Sequence, residues 1–128
     1  MARAKILIVD DESAFLRFIT ELLTGAGYDV RGSDDPFTAT SLAQEFRPDL
    51  AILDIAMPGK DGIELAKELR RETRTFGMPV MFVSARKATE GAQEIKDSGA
   101  VAYLEKPVPS SKLLWTVKTL LEADDAKK

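Results

Sequence analysis

"KILIVDDESAFLRFITELLTGAG", residues 5–27, carries the pattern that organises the whole chain. "KILIVD" (5–10) is a continuous apolar run closed by a carboxylate, as expected of a strand whose sheet is covered on both faces. The period then changes: Leu16, Ile19, Leu22, Leu23 and Ala26 fall on one helical stripe, and Gly25 and Gly27 supply its stop. A buried strand leading directly into an amphipathic helix is the first half of a βαβ crossover.

The same alternation runs to the end. "YDVRG" (28–32) predicts a shorter, more polar strand, with Asp35 and Pro36 as N-cap and first residue of a second helix. That helix uses Ala39, Leu42, Ala43 and Phe46 and ends before Pro48. "LAILD" (50–54) is a third strand, after which Asp61 caps a helix built on Ile63, Leu65, Ala66 and Leu69. "MPVMFVS" (78–84) is the most apolar strand and is expected at the centre of the sheet. A weaker helix over residues 88–97 follows, with Gly91 in its first turn. "VAYLEK" (101–106) is the fifth strand, and Ser110 or Ser111 caps a last helix through Leu113, Leu114, Val117, Leu120 and Leu121. Strict alternation with right-handed crossovers predicts an α/β fold, a doubly wound parallel sheet of five strands flanked by five helices. One domain is expected over residues 1–122, with 123–128 as a flexible tail or the start of a linker.

The totals narrow the function. The 128 residues are enough for one domain with its own core, and the net charge of −3 gives no overall basic field for nucleic acid or an anionic membrane. No apolar run at the amino end is long enough for a signal peptide or a membrane span, so a cytoplasmic location is expected. There is no cysteine, which removes thiolate nucleophiles and Cys-type zinc sites, and no histidine, which removes imidazole bases and His-ligated metals. Chemistry here falls to carboxylates, hydroxyls, lysine and a hard metal ion.

In a doubly wound sheet, ligands bind beyond the carboxyl ends of the strands. Those ends carry Asp10 and Asp11, then Asp54, Ser84 and Lys106. At ~4 Å and an effective dielectric of about 20, each pair of like charges costs about 4 kcal/mol. Three carboxylates therefore need positive charge among them. Lys106 provides one unit and a divalent cation two. Magnesium suits this all-oxygen donor set, since it takes few carboxylates and keeps several waters.

These residues together resemble a response-regulator receiver domain, the phosphoacceptor half of two-component signalling. The matching stretches are "VDDE", "LDIAMPGKDG", "VSA" and "YLEKP", and the likeness covers residues 4–121. It implies a flavodoxin-like sheet in the order 2-1-3-4-5. It also implies that Asp54 is the nucleophile, working with Ser84 and Lys106. Asp11 and Asp54 would bind magnesium directly, Asp10 largely through water, and the Ala56 carbonyl would complete the protein ligands. Ser84 and Tyr103 match the family's switch pair, and a cis bond is expected at Lys106–Pro107. Ala56 and Arg86, two residues beyond Asp54 and Ser84, would flank the path of the hydrolytic water. Arg86 is long enough to lie over the site.

By the same likeness the donor is a phosphohistidine on a histidine kinase or a histidine phosphotransfer protein. The first helix carries more apolar surface than one buried face needs, in Ala14, Phe15 and Phe18. With Pro107, these are expected to dock that partner. The output is then a change in protein–protein contacts, without direct binding of nucleic acid or membrane by this chain. A magnesium-dependent phosphatase of the haloacid-dehalogenase type is the competing reading. It needs a second Asp two residues after its nucleophile, where this chain has Ala56. A flavin mononucleotide carrier fits the sheet, but "DDES" (10–13) would repel its phosphate. The expectation is therefore a self-modifying regulator, not an enzyme that turns over an external substrate.

Overall fold

The structure is a computed structural model and describes residues 2–126. Five parallel strands, β1 (Lys5–Val9), β2 (Asp29–Ser33), β3 (Leu50–Leu53), β4 (Val80–Ser84) and β5 (Ala102–Glu105), form one sheet in the order β2-β1-β3-β4-β5. Five helices alternate with them: α1 (Ser13–Gly25), α2 (Ala39–Phe46), α3 (Gly62–Arg71), α4 (Ala92–Asp97) and α5 (Ser110–Ala126).

Strand composition and position agree. β3 and β4 are buried at every residue and β1 at every residue after Lys5, whereas β2 and β5, at the two edges, are only partly covered. β3, not β4, holds the centre. A continuous apolar run reports burial on both faces, which all three interior strands share, so apolarity alone does not rank them.

Alternate side chains divide into two cores. Leu7, Val9, Ala51, Leu53, Val80 and Phe82 meet residues of α2 and α3, while Ile6, Ile8, Leu50, Ile52, Met81 and Val83 meet α1 and α5. Each fully buried Leu or Ile contributes about 1.5–3 kcal/mol of transfer free energy. The sheet is thus anchored from both faces.

Several helix limits differ from the sequence reading, each for a local reason. Asp35 does not cap a helix; its Oδ1 accepts from Phe37 N at 2.9 Å, and the resulting turn delays α2 to Ala39. Gly91, at φ 74°, cannot lie inside a helix, so α4 begins only at Ala92. Ala26 is exposed just past the last turn of α1, where its N–H closes the helix on Leu22 and Leu23 carbonyls. Neither Ser110 nor Ser111 precedes α5, which starts at Ser110 with the Pro109 carbonyl accepting from Leu113 N. Residues 123–126 continue α5 as helix, while Lys127 and Lys128 lie outside the described residues. Asp61 does cap α3, accepting from Glu64 N at 2.8 Å, and Ile63, Leu65, Ala66 and Leu69 are all buried. On α5, Leu113, Thr116 and Val117 face the core and Trp115 is 68% exposed. Among the described residues, no helix is long and apolar enough to cross a membrane.

Candidate functional site

Asp10 is the first residue after β1 and Asp54 the first after β3, and the register sets them side by side: Val9 pairs with Leu53, and Asp54 N donates to Val9 O at 2.9 Å. On the other side Lys106 N donates to Ser84 O at 2.8 Å, which carries the β4–β5 ladder to the same edge. The sheet itself therefore gathers Asp10, Asp54, Ser84 and Lys106. Asp11 follows in the turn after β1 and is exposed, whereas Asp10 and Asp54 are buried.

One cation stands among these carboxylates. Lys106 Nζ lies 2.8 Å from Asp10 Oδ2, 3.4 Å from Asp54 Oδ2 and 3.5 Å from Glu12 Oε1. Asp10 Oδ1 also accepts from Glu12 N at 2.9 Å, and Asp54 Oδ1 from Ile55 N at 2.7 Å. Burial pushes the Asp10 carboxyl above its ordinary range, and the bond from Lys106 only partly offsets this. Burial works to lower Lys106. The hydrogen bond to Asp10 and the charges of Asp10, Asp54 and Glu12 outweigh it and hold the ammonium above its ordinary value.

Carboxylate oxygens of Asp10, Asp11 and Asp54 lie within 4.8 Å of one another. Hard oxygen donors at that spacing, with one lysine against several acids, fit a hard divalent cation. Ala56 lies two residues beyond Asp54, exposed in the β3–α3 loop. Ser84 is fully buried, and its hydroxyl accepts from Arg86 N at 3.2 Å. Tyr103 turns its ring inward onto Phe82, with centroids 6.1 Å apart, and its hydroxyl donates to the Arg86 carbonyl. Burial raises the Tyr103 phenol, opposed by the Ser84 hydroxyl and the Arg86 charge. The Arg86 side chain, expected to flank the path of the hydrolytic water, lies against Gly91. An added Cβ there would come within 2.1 Å of its guanidinium. The room left by Gly91 draws the side chain toward α4.

Of the residues expected to dock a partner, two lie together on α1. Phe15 is half-buried and Phe18 is 43% exposed, with ring centroids 6.1 Å apart. Both line an open, mostly apolar groove of about 480 Å³ that Lys106, Pro107 and Val108 complete. Ala14 is exposed on the same helix but does not line the groove, and the Lys106–Pro107 bond is cis.

Sequence reasoning passed over two supports of the Asp54 backbone and the loop that follows it. A Cβ at Gly62 would lie 2.0 Å from the Asp54 carbonyl oxygen, so only glycine lets α3 start this close to Asp54. Gly59, at φ 84°, lies under the exposed Phe37 ring, with Lys60 Nζ 5.0 Å from that ring and 2.6 Å from Glu68 of α3. The two glycines of "GKDG" (59–62) were the available signal.

The sequence matches the family model of the response regulator receiver domain over residues 6–118. Among curated relatives, the DNA-binding dual master transcriptional regulator RpaA of Synechocystis sp. is 36% identical over 121 residues, which make up 94% of this chain and 50% of RpaA. Protein PilH of Pseudomonas aeruginosa is 32% identical over 118 residues, 92% of this chain and 98% of PilH. The chain thus spans about half the length of DNA-binding relatives such as RpaA. Among solved structures, the chemotaxis protein CheY4 of Vibrio cholerae aligns with a TM-score of 0.88 at 33% identity, over 93% of this chain and 99% of that one.

Proposed function

Because this chain belongs to the response-regulator receiver domain family, a family of signalling domains and not of classical enzymes, we propose that it is a phosphoacceptor that takes a phosphoryl group from a phosphohistidine onto Asp54. The observation that carries this reading is the Asp54 carboxylate, buried beside Asp10 with the Lys106 ammonium 3.4 Å away. A carboxylate oxygen of Asp54 attacks phosphorus, the bond from phosphorus to the imidazole nitrogen breaks, and the imidazole leaves with the electron pair. Transfer of this kind is mainly positioning and charge stabilisation, which is what this edge of the sheet provides.

Asp10, Asp11 and Asp54, with the Ala56 carbonyl, would hold magnesium. When bound, the ion supplies two positive charges against the carboxylates and the phosphoryl oxygens. Lys106 exchanges its carboxylate contacts for a phosphoryl oxygen. The Ser84 hydroxyl, whose oxygen now accepts from Arg86 N, keeps its own proton to donate to another. Such a charge-assisted bond is worth about 1.5–3 kcal/mol, enough to bias a two-state loop. Tyr103, bonded to the Arg86 carbonyl in the same loop, is the side chain placed to follow that movement. Ala56 and Arg86 would tune the lifetime of the phosphoryl group. A histidine kinase or histidine phosphotransfer protein would dock on Ala14, Phe15, Phe18 and Pro107. The signal then leaves through changed contacts with a target protein.

Intact-mass measurement with acetyl phosphate and magnesium tests the reading. One phosphoryl group per chain is expected, lost in Asp54→Ala and in chelator. Incorporation that survives Asp54→Ala overturns the assignment. Continuous turnover of donor with nothing retained on the protein points instead to a phosphatase.

A further inference from the structure

Lys106 has an aromatic neighbour as well as its carboxylates. A lysine ammonium sits on a flexible four-carbon stem and loses considerable rotamer freedom when fixed in place. Carboxylates of Asp10, Asp54 and Glu12 attract it, and in the proposed transfer these contacts are the ones exchanged for phosphoryl oxygens. Its Nζ also lies 4.2 Å from the centroid of the Phe15 ring. That is well inside the ~6 Å range over which an aromatic face attracts a cation. This contact is not consumed by the reaction. The ring is itself held, half-buried and packed on the core that α1 shares with α5. The lysine side chain is only 13% exposed, and such an attraction strengthens as water is removed.

From this geometry we propose that Phe15 is a positioning residue for Lys106: its ring face keeps the ammonium over the acidic centre while the carboxylate contacts are exchanged for phosphoryl oxygens. This goes beyond a part in docking and rests on Asp54 being the phosphoacceptor. The ring acts even when the donor is too small to dock on anything. Phe15 and Lys106 both line the groove, and Lys106 also reaches the acidic centre.

Two substitutions separate the roles. Phe15→Leu keeps an apolar side chain and removes the aromatic face, whereas Phe15→Tyr keeps the face. With acetyl phosphate at saturating magnesium, phosphoryl incorporation read by intact mass should slow about three- to tenfold in Phe15→Leu and stay close to the wild-type rate in Phe15→Tyr. A wild-type rate in Phe15→Leu overturns the proposal, as does a Phe15→Tyr rate as slow as that of Phe15→Leu. A second measurement needs no phosphoryl donor. By NMR, the ring current of Phe15 should shift the Lys106 ε-methylene protons upfield in the wild type and in Phe15→Tyr, and the shift should vanish in Phe15→Leu. No such shift in the wild type sinks the proposal. The shift in a protein that takes no phosphoryl group leaves Phe15 positioning Lys106 and removes the phosphoacceptor reading instead.

Discussion

α3 and α4 follow the two strand ends that carry Asp54 and Ser84, yet they are held in opposite ways. α3 has ten residues, buries five of them, and is capped by the Asp61 side chain. α4 has six, buries none, and starts from a left-handed glycine with no side-chain cap. The loops leading into them differ likewise. The one before α3 is pinned by the close approach of Gly62 and by Phe37 over Gly59, while the one before α4 is tied by the Tyr103 hydroxyl and by Arg86 lying on Gly91. Few buried apolar contacts mean low local stability, so Asp54 stands beside the firm helix and Ser84 beside the one that moves at lower cost.

The largest expected effect tests that contrast directly. Leu65 of α3 is fully buried and Ile95 of α4 only partly so. Leu65→Ala should cost about 2–5 kcal/mol of stability and Ile95→Ala about 1 kcal/mol, read from denaturant midpoints. Equal losses would mean that α4 is anchored as firmly as α3.

The next contrast sets Ala56, in the loop before α3, against Arg86, in the loop before α4. Ala56 offers no side-chain polar atom to a hydrolytic water, so Ala56→Asn should speed decay of the aspartyl phosphate several-fold to about tenfold. Arg86→Ala should change decay less, because its guanidinium rests on Gly91. Radiolabel loss from protein loaded with acetyl phosphate measures both. Unchanged or slower decay in Ala56→Asn removes water positioning as the explanation.

The last contrast is one of sign. Asp10, after β1 and beside Asp54, carries an electrostatic cost, because burial holds its carboxyl above its ordinary value of 3.8. Its folded state binds a proton more tightly than the unfolded chain does. The stability this group contributes is full below 3.8 and is lost as pH rises through the raised value. Asp10→Asn cannot ionise and keeps it. In chelator, Asp10→Asn should melt above the wild type by a margin that widens from acid to neutral pH. In magnesium the order should reverse, since the wild type alone retains the full acidic set. A variant that melts lower in chelator across the whole range contradicts the assignment of cost.

Much of this site could be read from the residues. Asp10, Asp54, Ser84 and Lys106 each close an apolar run, and parallel strands can only bring such ends to one edge. The strand order came from likeness to a family, because interior strands with similar apolar content are interchangeable to a periodicity argument. Helix starts were misread where one residue type has two uses. Asp35 looks the same whether its carboxylate caps a helix or bonds Phe37 N in a turn. The direction of Arg86 depends on an absent Cβ at Gly91, and the ring over Lys106 joins the first helix to the last strand end. Contacts of that kind are decided by packing in space, which local pattern does not encode.

The exposed indole of Trp115 has an optical consequence. It is the chain's one tryptophan, so the intrinsic emission comes from a ring already in water. That emission starts red-shifted and open to collisional quenchers such as iodide. A binding event that covers the outer side of α5 announces itself by a blue shift and by shielding from iodide. Steady fluorescence on adding a partner places that partner elsewhere on the surface.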